Sequence, residues 1–157
     1  MRIVICAVGR SRPGALRTLY EDYASRIDGT RLFGRVELRE VEERRTLPVP
    51  ELKTREGELL TAAFPKGATI VALDGRGQSL SSEAFAARLG KWRDNGTADL
   101  AFVIGGADGL DKPIVEKASL VLSLGAMTWP HLLARAMLAE QIYRAATILQ
   151  GHPYHRA

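Results

Sequence analysis

Apolar runs and helical periodicities alternate along the chain from its first residues. Arg2–Val8 is continuous, short and rich in Val and Ile, as expected of a strand buried on both faces. After Pro13, Leu16, Leu19, Tyr20, Tyr23 and Ile27 recur at helical spacing, and Asp28-Gly29 supplies a stop. Between Gly34 and Val41 the pattern turns to alternation, with Val36, Leu38 and Val41 set among charges, which predicts a strand with one wet face. Glu42–Pro50 is charged and punctuated by proline, so it reads as a mobile loop. Glu51–Phe64 predicts a second helix, stopped at Pro65-Lys66-Gly67.

The second half repeats the alternation. Thr69–Leu73 reads as a strand ending in a flexible turn, Asp74-Gly75-Arg76-Gly77. Ser81 and Ser82 offer an N-cap for a helix through Asp94, and Asn95-Gly96 stops it. Leu100–Ile104 is a strand running directly into Gly105-Gly106-Ala107-Asp108-Gly109. A short helix around Pro113–Lys117 leads to the strand Ser119–Leu124. Thr128-Trp129-Pro130 then opens a last helix, Pro130–Gln150, closed by Gly151 and Pro153. Strands and helices in this strict alternation predict an α/β fold around a mostly parallel sheet, as a single domain over 1–157. The last helix is apolar on nearly every side, so it must be buried from more than one direction, which suggests a subunit interface.

Composition removes several classes. Hydrophobic residues make up 46% and charged residues 25%, which excludes disorder and collagen-like structure. Cys6 is the only cysteine, so no disulfide forms within the chain, and its place in a buried strand suits packing better than nucleophilic work. Ile3–Val8 is too short for a secretion signal and is followed, not preceded, by Arg10 and Arg12. Arg135, Glu140 and Arg144 argue against a membrane span in Pro130–Gln150. These features predict a soluble protein of a reducing, cytoplasmic compartment, with no membrane partner. Residues 1–55 hold 12 basic against 8 acidic side chains, so the whole net charge of +4 lies in the first third. Of 22 basic residues 17 are Arg, the side chain suited to bidentate contact with phosphate. That balance permits a nucleic-acid partner and is equally compatible with a solvated surface.

Familiar catalytic signatures are missing: no phosphate loop, no dinucleotide fingerprint, no serine-hydrolase elbow. His152 and His155 have no third ligand nearby in sequence, so no metal site is expected. What remains are three loops at strand ends: Leu73–Gly77, Gly105–Gly109, and Leu124-Gly125-Ala126-Met127-Thr128-Trp129. Ligands of open α/β sheets bind at the carboxyl ends of strands, and glycine lets backbone approach a ligand closely. Such loops offer N–H and C=O groups that would read the edge of a base. The tail His152-Pro153-Tyr154-His155-Arg156 adds groups that can move protons, stack and bind phosphate.

These features together resemble a known family. Leu73-Asp74 with its glycine-rich turn, Leu80-Ser81-Ser82-Glu83, Val103-Ile104-Gly105-Gly106 with Gly109-Leu110, Met127-Thr128-Trp129-Pro130-His131, Glu140-Gln141-Ile142-Tyr143-Arg144-Ala145 and Pro153-Tyr154-His155-Arg156 occur in the order of the methyltransferase H family of the large ribosomal subunit. That family lies within the SPOUT superfamily, and the resemblance covers essentially the whole chain. Trp129 departs from it, standing where Phe or Leu is more usual. The resemblance implies a SPOUT-type α/β fold with a C-terminal trefoil knot, a homodimer, and S-adenosyl-L-methionine as cofactor. It implies methylation of N3 of a pseudouridine in helix 69 of 23S rRNA, within the assembled 70S ribosome. By position, Leu73, Gly105 and Leu124, Gly125, Ala126, Met127, Thr128 and Trp129 would bind the cofactor. Tyr154, His155 and Arg156 are the catalytic candidates, His155 as proton acceptor, Arg156 on a base oxygen or phosphate, and Tyr154 stacking on the base. Two other classes share the residue pattern: a non-catalytic RNA-binding assembly factor on the same fold, and a nucleotide-binding regulatory module using the Gly105–Gly109 loop.

Overall fold

The computed structural model describes residues 1–156; Ala157, the last residue of the expected 1–157 domain, lies outside the described residues. Ten elements alternate: β1 (Arg2–Val8), α1 (Ala15–Thr30), β2 (Val36–Val41), α2 (Val49–Ala63), β3 (Thr69–Ser79), α3 (Ser82–Asp94), β4 (Asp99–Ile104), α4 (Lys112–Lys117), β5 (Leu120–Ser123) and α5 (His131–Leu149). The strands form one sheet in the order β2-β1-β4-β3-β5, every pairing parallel.

Alternation along β1 divides the core. Ile3, Ile5 and Ala7 face one layer, where Tyr20 and Ile27 of α1, Phe85 and Leu89 of α3, and Leu138 and Ile142 of α5 pack. Val4, Cys6 and Val8 face the other layer, against Leu60 of α2 and Ile114 of α4. Burying each such Leu or Ile contributes roughly 1.5–3 kcal/mol. Cys6 is fully buried, its thiol pushed up to about 11 by desolvation, which suits packing.

Several expectations shift. The turn expected at Asp74–Gly77 is an excursion inside β3: Leu73 and Gln78 both stand opposite Leu122, so the intervening residues bulge and the strand resumes. Helix α1 runs past Gly29 and ends where Arg31 takes a left-handed conformation (φ +55°). The end of the expected loop Glu42–Pro50 is helical, because Pro50 sits in the first turn of α2, where its missing N–H costs nothing. Helix α5 lies against α1, α3 and the sheet, so Ala136, Leu138, Ala139, Ile142, Ala145 and Ala146 are buried within the chain itself. Its apolar girth is therefore largely accounted for without a second subunit.

Candidate active site

The carboxyl ends of β3, β4 and β5 open onto a cavity of about 750 Å³, a size suited to an organic ligand. Its walls are the three loops singled out by sequence, with Leu73, Ile104 and Leu122 at the strand ends beneath them. Ser123 ties two of the loops together. Its hydroxyl donates to the carbonyl of Gly75 at 3.2 Å and accepts the N–H of Gly125 at 3.1 Å. The Trp129 indole N–H donates to the carbonyl of Leu124 at 3.2 Å, folding residues 124–129 into a closed bow. In the middle loop, Gly109 N–H donates to Gly106 at 3.1 Å. A Cβ on Gly105 would stand 2.7 Å from the backbone carbon of Gly109, so only glycine permits that crossing.

One charged pair at the cavity is tightly held. Arg76 grips the Asp74 carboxylate with its side chain at 2.9 and 3.0 Å and with its backbone N–H at 2.9 Å, which pulls Asp74 down to about 2. Burial, then the nearby Asp108, raises Glu56, whose carboxylate faces Gly106 from α2. His131 begins α5 and lines the cavity; burial, then Arg135, lowers its pKa and so favours the neutral imidazole. Met127 stays 75% exposed, and exposed Trp129 lines the same rim, so two large apolar side chains stand in the open beside the cavity. The whole offers backbone donors and acceptors and apolar surface, a setting for a nucleoside-like ligand read along its edge.

The tail lies elsewhere in the same protomer. Tyr154 meets Tyr143 edge-on at 4.7 Å between ring centres, Arg144 sits 4.9 Å over its face, and its hydroxyl donates to Glu140 at 3.1 Å. Burial, chiefly, raises the Tyr154 phenol above its ordinary value. His155 Nε2 is 2.7 Å from Glu83, and its Nδ1 is 3.3 Å from Arg144. The tail thus folds back along α5 onto Glu140 and Arg144, about 14 and 20 Å past His131 at 1.5 Å per residue, and none of its residues lines the cavity.

The sequence profile of the family described as "Predicted SPOUT methyltransferase" matches residues 1–155. The chain belongs to the SPOUT methyltransferase family. Two relatives named "Ribosomal RNA large subunit methyltransferase H" cover it from end to end. The one from Rhodospirillum centenum is 57% identical over 157 residues, 100% of both chains. That from Paramagnetospirillum magneticum is 51% identical over 156 residues, 99% of both. A solved structure described as "a probable methylase family protein" from Haemophilus influenzae Rd KW20 shares the fold at a TM-score of 0.51 and 11% identity, covering 99% of this chain and 70% of that one.

Within this SPOUT chain, all eight residues expected around a cofactor (Leu73, Gly105 and 124–129) line one cavity. Tyr154, His155 and Arg156 do not reach it; the first two are docked on α3 and α5 instead. Sequence reasoning assigned no part to His131, Arg76 or Glu56. His131 carried the one usable signal, its place directly after the loop 124–130. Arg76 and Glu56 gain their positions only from the β3 excursion and the packing of α2. Among the described residues no group of three His, Cys, Asp or Glu side chains is placed to hold a metal, and no helix is long and apolar enough to cross a membrane.

Proposed function

We propose that this protein is an S-adenosyl-L-methionine-dependent methyltransferase acting on N3 of a pseudouridine in helix 69 of 23S rRNA, in the assembled 70S ribosome. The reading carries with it a homodimer, a cytoplasmic location and the threaded C-terminal path of a trefoil knot. One observation supports it most: the three glycine-bearing loops, matched in sequence order to relatives bearing an rRNA methyltransferase name, enclose a single nucleoside-sized cavity. The path from the edge strand β5 to His131 beside Gly9 of β1 crosses the sheet at its carboxyl ends, which fits a threaded chain.

The residues fit the cofactor. The backbone crossing at Gly105 and the bow 124–129 would hold the nucleoside and amino-acid parts, and Leu73 would floor the cavity. When bound, the cofactor supplies an electrophilic methyl on a sulfonium. The chain's part is to hold the target base in line with that methyl, to exclude water, and to accept the imide proton that N3 loses as it forms the new N–C bond. The cofactor would leave as a neutral thioether once its methyl is given up to N3, so the proton lost by N3 is what the chain's own residues have to take. In this reading Arg156 holds a base oxygen or phosphate, Tyr154 stacks on the base, and His155 takes the proton. Because the tail is docked on α3 and α5 and does not line the cavity of its own protomer, these groups come from the partner subunit in this reading.

The test is transfer of labelled methyl from S-adenosyl-L-methionine to naked 23S rRNA, to 50S subunits and to 70S ribosomes, with the modified nucleotide mapped. Transfer to 70S at pseudouridine N3 is expected. Cofactor and ribosome binding without transfer would replace this reading by that of an assembly factor, and ATP binding at the cavity by that of a regulatory module.

A further inference from the structure

A second concavity, of about 390 Å³, lies across α5 from the cofactor cavity. Leu16, Leu38 and Leu132 supply apolar walls, and Arg10, Arg12 and Arg17 stand at its edge. The two spaces share a partition. His131 faces the cavity, Arg135 faces the groove, and both approach Gly9, where a built Cβ would lie 3.2 Å from the imidazole and 3.8 Å from the guanidinium.

The segment carrying Arg10 and Arg12 is held from beneath. Arg135 is 98% buried, and its guanidinium donates to the carbonyls of Val8 and Gly9 at 2.7 Å each and to Glu40 at 2.6 Å. The same Glu40 oxygen accepts the backbone N–H of Ser11 at 2.7 Å and its hydroxyl. Arg135 Nε is a buried nitrogen without a hydrogen-bond partner among the described residues. Burying an ion pair costs desolvation that an apolar pair would avoid, so stability alone does not account for it. What the pair does is fix Val8, Gly9 and Ser11, and with them the backbone that carries Arg10 and Arg12.

We infer that this groove seats a nucleotide flanking the modified one, its phosphate on Arg10 and Arg12 and its sugar and base against the apolar wall. The inference rests on the RNA-methyltransferase reading above. Charge favours this occupant: the net +4 of the chain lies within residues 1–55, to which both arginines belong. The acids nearby compete weakly. Arg10 meets Glu42 at 3.6 Å and Arg17 meets Glu21 at 2.7 Å, but both pairs are solvent-exposed and readily exchanged for phosphate.

The experiment compares two double variants that lose equal charge. Arg10→Gln/Arg12→Gln alters the groove; Arg31→Gln/Arg35→Gln alters exposed arginines at the opposite end of the sheet. Both are expected to keep the wild-type Tm and to bind S-adenosyl-L-methionine within twofold of wild type by calorimetry. The groove variant should raise KM for 70S ribosomes about tenfold with kcat within twofold, and flatten the log–log salt dependence of ribosome binding by about 2. The control should change neither. Equal KM values and salt slopes for the two variants would overturn the inference. If the wild-type protein transfers no methyl to ribosomes, the catalytic reading falls by itself. Filter binding of the same two variants to 70S ribosomes then still decides the groove: a flattened slope for the groove variant alone upholds it, and matching slopes reject it.

Discussion

His155 Nε2 lies 2.7 Å from Glu83 Oε1, so the C-terminal tail is tied to the first turn of α3 instead of hanging free of the domain. The Glu83 carboxylate is held below its ordinary value by its own backbone N–H and then by the imidazole. A depressed carboxylate pKa means that the contact operates above the ordinary carboxylate range and is lost as the pH falls through the lowered value. Glu83→Gln should therefore raise amide exchange across residues 152–156 several-fold at pH 7. Wild type should lose the same protection, after correction for intrinsic rates, only on strong acidification. Unchanged exchange in the variant would show that stacking on Tyr143 alone secures the tail.

Gly77 returns the β3 excursion to the sheet. A Cβ there would stand 2.5 Å from the backbone carbonyl oxygen of Val121, an atom fixed by strand pairing. Gly77→Ala must push β5 away from β3 and is expected to cost about 1–3 kcal/mol, typical of forced overpacking. Thermal unfolding should register it, and cofactor affinity should fall too, because Ser123 ends β5 and holds Gly125 two residues on. A variant with wild-type Tm would mean that the excursion absorbs the methyl group.

The His131 imidazole has a lowered pKa, from burial first and from Arg135 second. The unfolded chain therefore binds a proton at higher pH than the native one, so stability is complete above the ordinary histidine range. It falls as the pH drops through that range toward the native value. Melting from pH 7.5 to 5 should show this decline, and His131→Gln should flatten it. A profile unchanged by the substitution would assign the acid sensitivity to another group.

How far the sequence carried depended on whether a feature was local. The split of β1 into Ile3, Ile5 and Ala7 against Val4, Cys6 and Val8 follows from period-two geometry, so the sheet and its two layers were legible. The loops around the cavity were legible as glycine-bearing segments after strands, and all eight expected residues share it. The reason for glycine at 105 was not: it is demanded by the crossing backbone of Gly109, a contact inside the loop. The extension of β3 past Leu73 was hidden because Asp74–Gly77 looks like any turn until β5 pairs again with Gln78 and Ser79. Long-range polar contacts were hidden altogether. Nothing near Arg135 in sequence announces Glu40 or the carbonyls of Val8 and Gly9, all more than 90 residues away. The tail was visible as a cluster of aromatic and ionisable residues, but its docking on α3 and α5 outside the cavity lining was not.

That placement sets the last prediction. A tail docked on α3 and α5 outside the lining of its own cavity is expected to act on a base bound by a second copy, so cavity and tail should complement each other between subunits. Two variants separate the halves. Gly105→Val fills the loop crossing and removes cofactor binding but keeps the tail; deletion of residues 152–157 removes the tail but keeps the cavity. Each alone should dimerise and transfer no methyl. Co-expressed and mixed at random, half of the dimers are heterodimers, and each holds one intact pairing, the cavity of the truncated copy facing the tail of the other. Activity should then return to roughly one quarter of wild type, as statistical pairing in a two-fold dimer requires. If cavity and tail act within one protomer, neither parent in the heterodimer has both, and the mixture stays inactive. Full activity of the truncated protein alone would remove the tail from the chemistry, leaving His131, Asp74 and Asp108 as the groups lining the cavity to examine as proton acceptor.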